Sequence, residues 1–289
     1  MRETTVLIQG LGLMGGSLAA ALTAAGWKVL LAHRRPEVAR AAAARGWGTA
    51  IPDLTQAVDA GIAVVCTPVE TIAGLAREIA TATGAVVTDV GSTKAGIVAE
   101  LADLGAAGRF VGSHPMCGSH LQGLDHADPL LYQGRTVVVT ATPATPPAAA
   151  ARIRRMWQAV GARVVDLDPA THDVAVASAS HVPHVLASAT AANLAPEAAA
   201  LCAGGFRDTT RVAGSSAELW TGILLANRAA VGSQLAAVQE RLEQLRAALV
   251  RDDHAAVTAW LEAGRLGRQR YEAALAPGNA ASVAEALSE

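Results

Sequence analysis

The stretch that decides the fold is residues 4–17, which read TTVLIQGLGLMGGS. An aliphatic run that predicts a β-strand leads directly into a glycine-rich turn, and an alanine-rich helical pattern follows. A G-x-G-x-x-G pattern between a strand and a helix is typical of a turn that cradles a pyrophosphate. Its first glycine permits the tight turn, the second admits the phosphates to the backbone N–H groups, and the third allows close packing of helix on strand. The predicted dinucleotide-binding residues are Gly10, Gly12, Leu13, Met14 and Gly15.

Outward from this turn, the first half of the chain alternates short aliphatic runs with alanine-rich helical stretches. The predicted strands are residues 6–9, 28–32, 62–66, 85–89, 110–112, 135–140 and 163–166. The predicted helices between them are residues 14–25, 36–45, 69–82, 93–104 and 146–160. This alternation predicts an α/β fold of the Rossmann type, a doubly wound parallel sheet with helices on both faces.

After about residue 168 the strand pattern disappears, and only helices are predicted, at residues 171–194, 196–202, 217–249 and 254–274. We therefore expect a dinucleotide-binding domain over residues 1–167 and an all-helical substrate and dimerisation domain over residues 168–289. Residues 174–196 contain no Asp, Glu, Lys or Arg and are long enough to span a bilayer. Because these residues include His181, His184, Pro183 and Asn193, we interpret the segment as a buried helix rather than as a membrane span. We hypothesise that this apolar segment lets two helical domains intertwine into a homodimer.

Composition excludes several classes of protein. The chain has 52% hydrophobic and 17% charged residues, enough to bury a sizeable core. Its net charge of −2, without a basic tail, argues against nucleic acid as a partner. Cys66, Cys117 and Cys202 form no CxxC motif, so we expect neither a metal site nor a disulfide framework. A reducing, cytoplasmic compartment fits best, and no membrane association is expected.

The end of the second predicted strand decides which dinucleotide binds. Enzymes that use NAD usually carry Asp or Glu there, bonded to the ribose hydroxyls. This chain has His33, Arg34 and Arg35 instead. Because arginine pairs with phosphate through two hydrogen bonds, these residues favour NADP and its 2′-phosphate. NAD stays possible, with Arg34 stacked on the adenine.

Two further motifs follow predicted strands, at the edge where open α/β sheets bind their ligands. They are TDVGSTK at residues 88–94 and GSHPM at residues 112–116. The second places a titratable side chain, His114, beside the expected nicotinamide, with a proline after it that restricts the loop. Thr67 and Pro68 follow another strand and are expected along the cofactor, as is Gly91.

Five motifs taken together resemble the prephenate/arogenate dehydrogenases of tyrosine biosynthesis. They are GLGLMGGS, TDVGSTK, GSHPM, SHVPH at residues 180–184 and GFRDTTR at residues 205–211. The resemblance spans residues 4 to 230 and implies oxidative decarboxylation of a cyclohexadienol. In that reaction a hydride leaves ring C4 for NAD(P)⁺, CO₂ leaves ring C1, and the ring becomes aromatic.

The resemblance also implies roles for individual residues. His114 matches the base that takes the proton of the C4 hydroxyl, and Ser92 matches a serine that hydrogen-bonds this histidine and the hydroxyl. Arg211 matches an arginine that binds a substrate carboxylate. Ser180 and His184 match a polar pair that lines the substrate pocket.

The sequence departs from the family at His120, where a glutamate that takes part in gating the substrate entrance is common. We still expect His120 near the substrate. Nearby, the neutral Gln122 favours prephenate, since an acidic residue there would favour the ammonium group of arogenate.

Other functions stay open at this point. Arogenate or an amino-substituted prephenate is an alternative substrate. A β-hydroxyacid dehydrogenase of similar architecture would use a lysine in the helical domain as acid or base, but the chain has only two lysines, Lys28 and Lys94. A cofactor-sensing protein without turnover would have little use for His114, Ser92 and Arg211. We expect no fused mutase or C-terminal regulatory domain.

Overall fold

Strand β1 (Thr5–Gln9) lies at the centre of a five-stranded parallel sheet and delivers the glycine-rich turn to the sheet edge. The computed structural model describes residues 5–118 and 121–275. The other strands are β2 (Lys28–Ala32), β3 (Thr49–Ala50), β4 (Ile62–Val65), β5 (Val86–Asp89), β6 (Gly112–Pro115), β7 (Thr136–Thr140) and β8 (Arg163–Asp166). The helices that precede residue 168 are α1 (Leu13–Ala24), α2 (Pro36–Ala44), α3 (Val69–Ala82), α4 (Ala95–Glu100), α5 (Ala102–Ala106) and α6 (Pro147–Ala159). The later helices are α7 (Pro169–Val176), α8 (Val182–Ala192), α9 (Gly204–Thr210), α10 (Ala217–Ala226), α11 (Arg228–Val250) and α12 (His254–Leu275).

The first sheet has the order β3-β2-β1-β4-β5, with every neighbouring pair parallel. Val6 of β1 pairs with Val29 on one side and with Ile62 on the other, and all three are buried. Strands covered on both faces carry aliphatic residues at nearly every position. The predicted Rossmann-type sheet, followed by helices, is confirmed.

The strand predicted at residues 110–112 differs from what the structure contains. Phe110 makes one parallel bridge to Val87 at the edge of the first sheet. The chain then passes into β6, which pairs antiparallel with β7 in a separate sheet of order β6-β7-β8. A Cβ on Gly112 would lie 2.5 Å from Oγ1 of Thr140, so a glycine allows this close pairing. Both sheets bury aliphatic residues, and hydrophobic pattern alone does not separate them.

Three helices predicted as continuous are interrupted. The helix predicted at residues 93–104 is divided at Leu101 into α4 and α5. The helix predicted at residues 217–249 is divided at Asn227 into α10 and α11. Between α7 and α8 the chain makes a π-helical turn, Ala177–His181. Pro183 explains this turn, because it lacks an N–H and would clash with the carbonyl four residues earlier in a regular α-helix.

Contacts divide the chain into two units, Met1–Asn227 and a second that begins at Arg228. The first holds both sheets and helices α1 to α10. The second holds α11 and α12, where Trp260 Nε1 donates to the carbonyl oxygen of Arg241. The domain boundary predicted near residue 167 stays a prediction. None of the helices described is both long enough and apolar enough to cross a membrane.

The apolar segment 174–196 is buried on one side only. Val176, Val182 and Ala187 are buried, whereas the side chains of Val174 and Leu186 are 54% and 37% exposed. The expected buried helix therefore leaves an apolar face uncovered in the single chain.

Candidate active site

The glycine-rich turn forms a cradle at the start of α1. Gly10 has φ of +96°, and a Cβ there would lie 2.5 Å from the carbonyl oxygen of Cys66. A Cβ on Gly15 would lie 1.9 Å from the carbonyl oxygen of Gly10. Gly12, by contrast, caps α1 without a side chain and faces open space. The first N–H groups of α1 thus point into a free volume that suits a pyrophosphate, the anion a helix N-terminus binds.

This free volume is part of a cavity of about 630 Å³ at the carboxyl ends of the sheet strands. Twelve of the sequence-predicted residues line it. They are Gly12, Leu13, Met14, Thr67, Pro68, Gly91, Ser92, His114, Gln122, Ser180, His184 and Arg211. Gly10 and Gly15 lie behind the turn and shape it. His120 lies outside the described residues.

His33, Arg34 and Arg35 lie at the end of β2 and do not line this cavity. Nδ1 of His33 accepts a hydrogen bond of 3.0 Å from the backbone N–H of Arg35. Burial lowers the pKa of His33, and the neighbouring arginines act in the same direction. Both arginine side chains are exposed, and neither forms an ion pair within residues 5–118 and 121–275. Two free guanidinium groups are therefore available at the strand end where the adenosine ribose binds in this fold.

A buried ion pair supports the floor of the cavity. The ammonium group of Lys94 contacts Oδ2 of Asp89, and both side chains are completely buried. Asp89 also accepts hydrogen bonds from the backbone N–H of Gly91 at 2.9 Å and of Ser113 at 3.1 Å. One carboxylate therefore fixes both the loop that carries Ser92 and the strand β6 that carries His114. Burial lowers the pKa of Lys94, although the adjacent carboxylate opposes this shift.

His114 is buried and connected to a second histidine. Its Nδ1 lies 2.9 Å from Nε2 of His172, and Nδ1 of His172 lies 2.8 Å from Oδ1 of Asp173. The resemblance implied a bond from Ser92 to His114. Both residues line the cavity, but the described part of the chain contains no hydrogen bond between them. The partner of His114 in this structure is His172.

Burial is the main cause that lowers the pKa of His114 well below its ordinary value. Positive charge on His172, Lys94 or His181 acts in the same direction. His114 is therefore a neutral imidazole near neutral pH, with a lone pair available on one ring nitrogen. A general base needs this protonation state before the reaction begins.

The opposite end of the cavity is cationic and aromatic. Arg211 begins a short 3₁₀ turn after α9, is exposed to the cavity, and pairs with no carboxylate among the residues described. His184 stacks on Trp220 with ring centroids 3.5 Å apart and an interplanar angle of 12°. Burial lowers the pKa of His184. This arrangement suits a flat, anionic substrate.

Sequence reasoning missed His172, Asp173, Trp220 and Asn227. The amide Nδ2 of Asn227 donates to the carbonyl oxygen of Asp173 at 2.7 Å and to Nδ1 of His181 at 3.2 Å. The adjacent His–Asp pair at the start of the helical half was an available signal. No local pattern indicated that Trp220 or Asn227 would reach the site.

Two family models match consecutive parts of the chain. The prephenate dehydrogenase nucleotide-binding domain matches residues 18–166, and the prephenate dehydrogenase dimerization domain matches residues 168–263. The chain belongs to the prephenate dehydrogenase family. A prephenate dehydrogenase of Lactococcus lactis subsp. cremoris is 32% identical over 281 residues, which cover 92% of this chain and 77% of that protein.

Solved structures of this family have the same fold. Prephenate dehydrogenase from A. aeolicus, in complex with hydroxyphenyl propionate and NAD⁺, is 28% identical with a TM-score of 0.85, covering 94% of this chain and 99% of that one. Arogenate dehydrogenase from Synechocystis is 30% identical with a TM-score of 0.80, and the match covers 93% of this chain and 100% of that one.

Proposed function

We propose that this chain catalyses oxidative decarboxylation of prephenate to 4-hydroxyphenylpyruvate, with hydride transfer to NAD(P)⁺. The observation that carries this proposal is the single cavity that joins the α1 cradle, the neutral His114 and the unpaired Arg211. Each corresponds to one requirement of the reaction: a bound dinucleotide, a base and a cation for an anionic substrate. Membership of the family makes the chain an NAD(P)-dependent oxidoreductase.

The residues of the cavity divide the chemistry between them. When bound, the nicotinamide accepts the hydride that leaves ring C4. His114 takes the proton of the C4 hydroxyl as that carbon becomes a carbonyl, and a positioned base contributes about 10²–10⁴-fold to the rate. Loss of CO₂ from C1 then returns electrons to the oxygen on C4, and His114 gives the proton back to form the phenol. Arg211 holds a substrate carboxylate, and Ser92 hydrogen-bonds the hydroxyl.

Prephenate is preferred to arogenate because Gln122, which lines the cavity, is neutral. An amide offers no charge to the ammonium group that arogenate carries in place of the keto group. The solved arogenate dehydrogenase keeps arogenate as a second candidate. Steady-state kinetics with prephenate or arogenate, each with NAD⁺ or NADP⁺, tests both points. We expect the highest kcat/KM for prephenate with NADP⁺, and absence of turnover with both substrates would refute the proposal.

NADP is the proposed cofactor, supported by the exposed Arg34 and Arg35 at the end of β2. Arg34→Asp should shift the ratio of kcat/KM from NADP⁺ towards NAD⁺, because a carboxylate repels the 2′-phosphate and accepts from ribose hydroxyls. Arg155→Asp, at an exposed position on α6, is the matched control and should leave the ratio unchanged. An unchanged ratio in Arg34→Asp would show that the cofactor is not selected here.

We further propose that the chain forms a homodimer through its helical half. The support is the match to a dimerization domain and the exposed apolar side chains of Val174 and Leu186. A monomer in light scattering at micromolar concentration would contradict this.

We also propose the domain boundary at residue 167, which is supported by the two family models, since one ends at residue 166 and the other begins at residue 168. The free thiols of all three cysteines are compatible with the proposed cytoplasmic location.

A further inference from the structure

We propose that His172 and Asp173 are positioning residues that hold His114 in the tautomer whose Nε2 is the base. The three side chains form a hydrogen-bonded chain at the edge of the cavity. As a refinement of the mechanism, this inference rests on the proposed function for its kinetic consequences, but the tautomer itself is a property of the free protein.

Asp173 is the fixed end of the chain. Its Oδ1 accepts from the backbone N–H of Lys94 at 2.7 Å, and its Oδ2 accepts from that of Ala95 at 2.9 Å. These bonds lower the pKa of the Asp173 carboxyl together with the bond from His172, although burial opposes them. Asp173 is therefore an anion, which can only accept hydrogen bonds. Nδ1 of His172 must then carry a proton and donate it to Oδ1.

The direction of the next bond follows from this. With His172 neutral, its one proton lies on Nδ1 and its Nε2 carries a lone pair. Nε2 of His172 lies 2.9 Å from Nδ1 of His114 and can only accept from it. The two rings meet edge to face, with centroids 5.1 Å apart and an interplanar angle of 71°. His114 thus has its proton on Nδ1 and its lone pair on Nε2.

The three hydrogen-bonded side chains also stabilise the positive charge that appears on His114 during the reaction. When Nε2 of His114 receives the proton of the substrate hydroxyl, the ring becomes an imidazolium while Nδ1–H continues to donate to His172. No proton needs to move further, because the dipole of His172 and the anion of Asp173 already face the new charge. This is the role of the aspartate in a Ser-His-Asp triad, extended here by one imidazole.

Without the anion of Asp173, the direction of both hydrogen bonds can reverse. In Asp173→Asn the amide can donate to Nδ1 of His172, which would then carry its proton on Nε2 and donate to His114. The lone pair of His114 would lie on Nδ1 and its Nε2 would be protonated, so the base would be lost. In trypsin-like serine proteases, the equivalent exchange of the triad aspartate lowers kcat about 10⁴-fold.

Two substitutions of His172 separate positioning from packing. His172→Gln retains an oxygen that accepts from Nδ1–H of His114, whereas His172→Leu fills a similar volume without an acceptor. We expect kcat of the Gln variant to exceed that of the Leu variant by about tenfold or more, with KM for prephenate changed by less than about threefold. His254→Leu, at an exposed position, is the control and should retain wild-type kcat.

Equal kcat values for the Gln and Leu variants would overturn the proposal. The second measurement needs only the wild-type protein. ¹⁵N NMR of the imidazole nitrogens at neutral pH should show His114 and His172 protonated on Nδ1. His181 provides an internal contrast, because its Nδ1 accepts from the amide of Asn227 and its proton must lie on Nε2.

The two proposals fail in different ways. A protein that shows the predicted tautomers but converts no prephenate would contradict the proposed function and leave the positioning inference supported. A protein that converts prephenate but carries the proton of His114 on Nε2 would overturn the positioning inference alone.

Discussion

Asp89→Asn should strongly destabilise the protein, although the exchange keeps the size of the side chain, because it breaks the ion pair beneath the cavity. The carboxylate has three partners: Lys94 and Gly91 at Oδ2, and Ser113 at Oδ1. An asparagine offers one oxygen and one NH₂ group. Whichever way it is oriented, the NH₂ group faces at least one N–H donor, and the ammonium group of Lys94 loses its counter-ion.

The expected magnitude follows from burial. Both side chains are completely buried, so water cannot replace the missing carboxylate. Removing one member of a buried ion pair costs about 3–5 kcal/mol. In the double variant Asp89→Asn with Lys94→Met, the uncompensated charge is also removed, and part of this loss should be recovered.

The assay is equilibrium unfolding in urea, followed by circular dichroism. Asp103→Asn is the matched control, since Asp103 pairs with Arg77 on the surface, where the side chains are 62% and 47% exposed. Water screens such a pair, so the control should unfold close to wild type. The reasoning would be refuted if Asp89→Asn were as stable as the control, or if the double variant were no more stable than the single one.

Three further predictions concern the cradle, the substrate and pH. Gly12→Ala should unfold like the wild type but bind dinucleotide about tenfold or more weakly in calorimetry, because the new Cβ enters the space for the phosphates. Gly15→Ala should instead lower the melting temperature, since the new Cβ would lie 1.9 Å from the carbonyl oxygen of Gly10. Arg211→Ala should raise KM for prephenate about 10- to 100-fold, with a smaller change in kcat, and equal KM values would contradict a carboxylate contact. Burial is the main cause that lowers the pKa of His181 to about 4. As pH falls below 6.5 the unfolded chain protonates this ring, whereas the folded protein keeps it neutral until about pH 4. The free energy of unfolding should therefore fall by about 2–3 kcal/mol between pH 6.5 and 4. His181→Gln should show a smaller loss of urea stability between pH 6.5 and 4, and an unchanged loss would exclude His181 as its source.

The local sequence pattern was sufficient to predict the glycine-rich cradle at the start of α1. Strand β1, the glycines at positions 10, 12 and 15, and α1 are contiguous, so their geometry follows from neighbouring residues. The placement of Ser92 after β5 followed from the rule that parallel strands end together at one edge of the sheet. His114 reaches the same cavity by another route, since it lies within β6, which pairs antiparallel with β7 in the second sheet. These parts of the fold and site were accessible from sequence because each depends on short-range chemistry or on sheet topology.

The remaining features depend on contacts between distant residues. His114 and His172 are 58 positions apart, and Lys94 and Asp173 are 79 positions apart. The departure of β6 from the first sheet depends on its pairing with β7 rather than on its own composition. The break at Asn227 places a side chain that holds Asp173 and His181, which no helical periodicity encodes.

The most direct test of the central claim is kcat of His114→Asn with prephenate and NADP⁺, measured beside prephenate binding to the same variant. Loss of the base should lower kcat about a hundredfold or more while leaving prephenate affinity near the wild-type value. A kcat within about threefold of the wild type would contradict the assignment of His114 as the base.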